Sequence, residues 1–314
     1  MCTSHFALRT SHLALGTWHL NPRRPYTIPL PNRSPLHLGT RTLVMGILNV
    51  TPDSFADGGL HFDVDRAVDA GLRMVEAGAD IIDIGGESTR PGADPLPEEE
   101  ELRRVLPVVE RLALQVHVPI SIDTYKARVA REALTRGATI INDISGLQYD
   151  PELGEVAAAG GAALILMHTR GRSSGMYDLA VYEDAAQEVA RELAEAIARA
   201  ARAGVSRDAI IIDPGLGFAK RAEHSYEVLA RLDTLTSLDR PILSGPSRKS
   251  FLKAALGERE PSAREWGSAA AVAASVLFGA HIVRVHGVRE MVDVVRVADR
   301  IRAAAHANSN APNC

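Results

Sequence analysis

Short apolar runs alternate along the chain with amphipathic stretches, and the same join recurs between them. An amphipathic stretch ends in Gly-Ala and a run rich in β-branched residues follows. The joins read Gly78-Ala79-Asp80-Ile81-Ile82, Gly137-Ala138-Thr139-Ile140-Ile141, Gly161-Ala162-Ala163-Leu164-Ile165 and Gly279-Ala280-His281-Ile282-Val283. Glycine just past a helix takes left-handed backbone without a Cβ clash, so each join reads as a helix end followed by a strand. The apolar runs predict strands over residues 43–50, 80–86, 119–124, 139–144, 163–168, 209–213, 241–245 and 281–286. Val64, Val68, Leu72 and Val75 recur at helical spacing between the first two, as do Val189, Leu193 and Ile197, and later Val288, Val292, Val295 and Ile301. Near-continuous apolar strands alternating with helices belong to a parallel sheet covered by helices. Eight such units over about 260 residues predict an α/β fold of one (β/α)8 TIM barrel.

Residues 36–39 are expected to form a small hairpin closing the bottom of the barrel. The catalytic domain is then expected over residues 36–306, between a disordered, flexible N-terminal extension (1–35) and a C-terminal tail (307–314). The first 52 residues contain no Asp or Glu but carry Arg9, Arg23, Arg24, Arg33 and Arg41. That composition fits an organelle-targeting segment, a misassigned start or a disordered tail. Pro22, Pro25, Pro29, Pro31 and Pro35 oppose the amphipathic helix that targeting needs.

Composition narrows the class of function. Net charge is −4, from 35 Lys+Arg against 39 Asp+Glu, which excludes a general nucleic-acid binder. Any basic site is therefore local. Cys2 and Cys314, the only cysteines, offer neither a disulfide framework nor a thiolate metal site, and a cytoplasmic setting is the default expectation. No apolar run approaches the ~18 residues of a membrane span.

In such barrels chemistry sits at the C-terminal ends of the strands. Asn49, Asp83, Asp123, Asn142, His168, Asp213, Arg284 and His286 fall there. Any one of them could cap a helix or hold a loop; so many together point to a site. Two long polar loops, residues 49–59 and 85–93, exceed the usual 2–6 residues of a βα connection and read as lids. Ser247-Arg248-Lys249-Ser250 precedes a short helix expected over residues 251–256, and Arg284-Val285-His286 ends the last strand. Loops after strands seven and eight commonly bind phosphate in this fold. Asp123, Asn142 and Asp213 could instead recognise a heterocycle edge bearing several N–H donors. Metal ligation by Asp123 and Asp213 is the competing reading.

Several long motifs in order resemble the dihydropteroate synthase family of pterin-binding enzymes. They are Met45-Gly46-Ile47-Leu48-Asn49-Val50-Thr51-Pro52-Asp53-Ser54-Phe55, Gly85-Gly86-Glu87-Ser88-Thr89-Arg90-Pro91-Gly92 and Asp213-Pro214-Gly215-Leu216-Gly217-Phe218. Shorter matches surround Asp123, Asn142, His168, Lys249 and Arg284. The resemblance implies condensation of 4-aminobenzoate with (7,8-dihydropterin-6-yl)methyl diphosphate, giving dihydropteroate and diphosphate in folate biosynthesis. It implies that Asp123, Asn142, Asp213 and Lys249 hold the pterin, and that Asn49, Arg284 and His286 hold the diphosphate, with Asn49 also on Mg2+. Thr89, Arg90, Phe218, Ser247 and Arg248 would form the 4-aminobenzoate pocket, and Asp123, Asp213, Lys249, Thr89 and Arg90 would be the catalytic set. It further implies small-molecule substrates, a homodimer and sulfonamide sensitivity. Two departures stand out: Gly287 where the family usually has Asp, and Leu216 where an aromatic is often found. A pterin-binding methyltransferase-type barrel and a non-catalytic pterin-binding paralogue are the alternatives. Neither needs the Ser-Arg-Lys and Arg-x-His cations.

Overall fold

The computed structural model describes residues 20, 22–51, 60–88, 95–172 and 175–309, with side chains at 60–63 and 306–309 left aside. A two-stranded antiparallel hairpin, β1 (Tyr26–Leu30) and β2 (Arg33–Leu38), comes first. Eight strands of a parallel barrel follow: β3 (Leu43–Asn49), β4 (Ile81–Gly85), β5 (Ile120–Asp123), β6 (Ile140–Asp143), β7 (Ala163–Met167), β8 (Ile210–Asp213), β9 (Leu243–Ser244) and β10 (Ile282–Val285). Their spatial order is β8-β7-β6-β5-β4-β3-β10-β9, and a parallel bridge between Ile212 and Ile242 brings the two ends together. Helices α1 (Leu60–Glu76), α2 (Glu98–Ala113), α3 (Ala127–Thr135), α4 (Leu153–Gly160), α5 (Ala185–Arg202), α6 (Ala222–Ala230), α7 (Lys253–Leu256), α8 (Glu265–Leu277) and α9 (Val288–Ser309) alternate with the strands. The barrel expectation holds, and the four Gly-Ala joins all carry positive φ at glycine: 100° at Gly78, 104° at Gly137, 59° at Gly161 and 107° at Gly279.

Alternation divides each strand between two cores. Ile82, Ile84, Ile122, Ile141, Leu164 and Ile212 point outward against the helices. Met45, Ile81, Ile140, Ile165, Ile211, Leu243 and Ile282 point into the barrel and meet Ile28, Leu30, Leu36 and Leu38 of the hairpin. The hairpin is thus a plug for the lower mouth.

Four sequence expectations change here. The hairpin begins at Tyr26 rather than at residue 36, so residues 26–35 belong to the folded body. Pro29 is tolerated because both strands of the hairpin are edges, and the pairing shifts register between Ile28 and Leu30. Four arginines of the acid-free segment have structural partners: Arg23 pairs with Asp299, Arg24 with Asp239 and Arg41 with Asp80, each at 2.5 Å, while Arg33 donates to the His117 carbonyl at 2.8 Å; Arg9 lies outside the described residues. The seventh barrel strand shortens to Leu243–Ser244, and the helix after Lys249 is a 3-10 turn (Ser250–Leu252) running into the single turn of α7. Among the described residues no helix is long and apolar enough to cross a membrane.

Candidate active site

One pleat above the apolar plug, the inward positions turn polar. Ile81 is followed two residues later by Asp83, Ser121 by Asp123, Ile140 by Asn142, Ile211 by Asp213 and Ile282 by Arg284. A period of two keeps each pair on one face, so the alternation that builds the plug also aims these groups into the upper barrel. Register then sets them side by side: Asp123 lies opposite Asn142 on β5 and β6, and Gly85 opposite Asp123 on β4 and β5. Gly85 leaves room there, since a Cβ would sit 3.4 Å from that of Asp123.

Arg284 crosses the barrel. Its Nε donates to Asp83 Oδ2 at 2.6 Å and its Nη2 to Asp123 Oδ2 at 2.5 Å. Asn142 Nδ2 donates to the same Asp83 oxygen at 3.0 Å. Asp83 Oδ1 and Asp123 Oδ1 are buried and make no hydrogen bond. A buried acceptor left unmade costs about 1–3 kcal/mol, so a ligand bringing N–H donors would be strongly favoured at this spot. Burial is the main influence raising the Asp123 pKa, and the Asp83 carboxylate adds to it; the Arg284 guanidinium pulls the other way. Burial likewise raises Asp213, against the Gly215 amide that donates to its Oδ1 at 2.7 Å. The sequence suggested a carboxylate–amide side and a separate cationic side. Arg284 makes them one continuous network.

The loop after β9 supplies the other cations. Lys249 lies with Nζ 3.8 Å from the centroid of the Phe218 ring. Burial, and next the Arg284 charge, lower its pKa to about 8, while Asp213 and Asp123 oppose the drop. Ser247 Oγ meets His286 Nδ1 at 3.0 Å and accepts from the His286 amide at 3.2 Å, tying β10's end to this loop. Arg248 takes left-handed backbone (φ 59°), its amide donates to Ser268 Oγ at 2.8 Å, and its Nε donates to Glu265 Oε2 at 2.8 Å. Asn49 ends β3 half-buried, one strand away from Gly85.

Not every expected residue enters this arrangement. His168 sits just past β7 but is engaged by Glu192 and Lys220, at 2.9 and 2.7 Å. Thr89 and Arg90, and most of both expected lids, lie outside the described residues. At the foot of the second loop, Glu87 accepts from Tyr125 Oη at 2.8 Å and from Lys126 Nζ at 2.6 Å, and Lys126 also reaches Glu101 at 2.5 Å. Sequence reasoning missed Glu265, Lys220, Lys126 and Glu87. Glu87 lies within a signature motif and Lys126 and Lys220 just past one, which could have flagged them; Glu265 carried no such signal.

Among the described residues, no three His, Cys, Asp or Glu side chains gather as a metal cage. Asp123 Oδ2 accepts from Arg284 and Asp213 Oδ1 from the Gly215 amide, so each carboxylate already shares one oxygen with a donor of the protein. Magnesium takes oxygen ligands and commonly shares them with substrate phosphates and water. Asn49, offering one neutral oxygen, suits an ion that arrives on a diphosphate.

An enzyme signature described as "Pterin binding enzyme" matches residues 45–286. The dihydropteroate synthase of Synechocystis is 45% identical over 274 residues, covering 87% of this chain and 95% of that protein. The structure of Xanthomonas albilineans dihydropteroate synthase with 4-aminobenzoic acid superposes with a TM-score of 0.81 at 44% identity, covering 88% of this chain and 99% of that one. The Yersinia pestis dihydropteroate synthase in a sulfonamide drug complex gives 0.81 at 42% identity, covering 88% and 99%. The chain belongs to the pterin-binding enzyme family, within its dihydropteroate synthase group. It is a transferase of folate biosynthesis.

Proposed function

We propose that the chain joins 4-aminobenzoate to (7,8-dihydropterin-6-yl)methyl diphosphate, releasing diphosphate and forming dihydropteroate. The observation that carries this reading is the pair of buried, unbonded carboxylate oxygens on Asp83 and Asp123, held open by Arg284 above an apolar floor. A pterin edge carries the N–H donors those oxygens lack. Asp123, Asn142, Asp213 and Lys249 would hold the ring. Arg284, Asn49 and His286 would face the diphosphate.

Reaction follows by dissociative substitution. The methylene C–O bond breaks, its electron pair leaves with diphosphate, and the electron-rich pterin shares the positive charge left behind. Cations aimed at a departing anion lower the barrier most where charge develops. Mg2+ bound with Asn49 would add further neutralisation of the diphosphate. The Asp123 and Asp213 carboxylates stabilise the pterin cation from below. The amine nitrogen then forms the C–N bond, and its proton passes to solvent or to the departed diphosphate. Arg248, Ser247 and Phe218, with Thr89 and Arg90, would place the aminobenzoate for this attack.

A diphosphate-release assay with both substrates tests the reading: release from the wild type, and its loss in Asp123→Ala and Lys249→Ala, is expected. No release from the wild type would end it. Trapping a pterin cation without the amine supports the dissociative order, and C–O cleavage that strictly requires the amine would overturn it. We expect a sulfonamide to compete with 4-aminobenzoate; turnover untouched by millimolar drug would refute that. We also propose a cytoplasmic homodimer that covers exposed Trp266 on α8 and Val297 and Ile301 on α9, testable by sedimentation of Trp266→Glu.

A further inference from the structure

The loop from Asp213 to Lys220 carries two residues of the site through unusual backbone. Gly215, Gly217 and Ala219 have φ of 65°, 79° and 47°, and the last lacks glycine's freedom. Gly215 lies so close to the His168 carbonyl that no Cβ would fit. Such a path persists only where its surroundings enforce it.

Lys220 supplies the enforcement. The side chain is among the most buried in the protein, at 1% exposure. Its Nζ donates to the Gly215 carbonyl at 3.1 Å and the Phe218 carbonyl at 3.0 Å, and lies 2.7 Å from His168 Nδ1. An ammonium has three protons, and these three acceptors use them all. With Nδ1 accepting, the neutral His168 ring carries its proton on Nε2, which faces Glu192 Oε2 at 2.9 Å. Burial, then the Lys220 charge, lowers the His168 pKa to about 4, which keeps the ring neutral. Arg170 Nε in turn holds Glu192 at 3.1 Å. Burial lowers the Lys220 pKa to about 7, with Asp213 and Glu192 supporting the charge and Arg170 and Lys249 opposing it.

We propose that Lys220, braced through His168 and Glu192 against α5, is a positioning residue that fixes the Phe218 ring beside Lys249 and so sets the arylamine subsite. This rests on the synthase reading above. It assigns Lys220 no contact with substrate. The clamp takes the Phe218 carbonyl, in the arylamine subsite itself, and the Gly215 carbonyl, whose residue is held independently by its amide's bond to the pterin-facing Asp213 carboxylate at 2.7 Å. Its loss is therefore felt first by the amine and less by the pterin.

The test compares wild type with Lys220→Met, which keeps the length and removes every donor. The KM for 4-aminobenzoate rises at least tenfold, while the Kd for 6-hydroxymethylpterin, read by fluorescence, changes less than threefold. Hydrogen exchange at the Gly215, Gly217 and Phe218 amides accelerates at least tenfold. Lys220→Gln, which retains two donors, gives intermediate values. Should Lys220→Met not fold, Lys220→Gln and Glu192→Ala decide, each with a rise in amine KM of at least threefold. Unchanged KM and exchange in folded variants, or equal losses for amine and pterin, would overturn the proposal. If the wild type makes no dihydropteroate, the exchange measurement still decides the clamp, which separates its failure from that of the function.

Discussion

The lower and upper halves of this barrel share strands and alternation but hold opposite contents. Below, Met45, Ile81, Ile140, Ile165, Ile211 and Ile282 interlock with the hairpin's Ile28, Leu30, Leu36 and Leu38. Above, one pleat further on, Asp83, Asp123, Asn142, Asp213 and Arg284 occupy equivalent inward positions. Apolar contacts below are satisfied within the chain, whereas the upper layer leaves carboxylate oxygens unmet. The lower layer therefore stabilises the fold, and the upper layer gives up stability for ligand chemistry. This is the division expected between the two faces of such barrels.

The largest effect that would sharpen this contrast comes from Arg284→Met. It removes the cation shared by Asp83 and Asp123 and leaves two facing carboxylates, a change that costs about 3–5 kcal/mol for a broken buried pair. Turnover should fall by about a thousandfold, the scale of losing a group aimed at developing charge. Denaturant unfolding should show the stability loss at neutral pH and a partial recovery as acid protonates Asp123, whose pKa burial raises and Arg284 no longer pulls down. A variant as stable as wild type across that range would break the account.

Next comes the lower layer. Ile140→Ala opens space in the plug and should cost about 2–4 kcal/mol of stability. Its kcat and both KM values should stay within about twofold of wild type at a temperature where it is folded. A selective rise in pterin KM would show that the floor shapes the site.

The contrast also explains what the sequence made legible. The upper layer was readable because a strand keeps a strict period of two, so Asp83, Asp123 and Arg284 could be placed among the polar groups at the strands' C-terminal ends. Their bonding was not readable: a period says which face a side chain takes, not that Arg284 would span from β10 to both β4 and β5. Helix and loop partners were hidden for a related reason. Glu265 reaches Arg248 from 17 positions away, and Glu192 reaches His168 from 24, with no short pattern to join them. The hairpin expected at residue 36 begins at Tyr26, because Pro29, Pro31 and Pro35 count against a helix and not against the alternation of Ile28, Leu30, Leu36 and Leu38. That alternation was the signal to follow.

Lys249 carries the contrast into pH. Its folded pKa, about 8, lies below the ordinary 10.5, so the unfolded chain binds more protons at this group between those values. Stability contributed by Lys249 therefore rises as pH climbs through that window, because a poorly hydrated charge is being discharged. Function moves the other way: the cation over Phe218, proposed to face the pterin, is lost above about pH 8, and kcat/KM should fall. Lys249→Met should flatten the stability slope while leaving activity low at every pH. Parallel rather than opposed pH trends for the wild type would show that Lys249 is not the group responsible.

The smallest effect tests the rim of the upper layer at Gly287. A Cβ there would collide with Glu265 Oε1, an oxygen that is buried and makes no hydrogen bond. The obstacle is the end of a flexible side chain, so Gly287→Ala should fold with stability within about 1 kcal/mol of wild type. Glu265 must shift, however, and its Oε2 is what fixes the Arg248 guanidinium at 2.8 Å. Arg248 is proposed to stand on the amine side of the site, and on that reading the KM for 4-aminobenzoate should rise about threefold with pterin affinity unchanged. Glu265→Gln, which keeps the side chain's shape and weakens its hold on Arg248, should produce a similar change without any steric cause. If Gly287→Ala alters the amine KM and Glu265→Gln does not, the effect belongs to backbone geometry after β10 rather than to the Glu265–Arg248 pair.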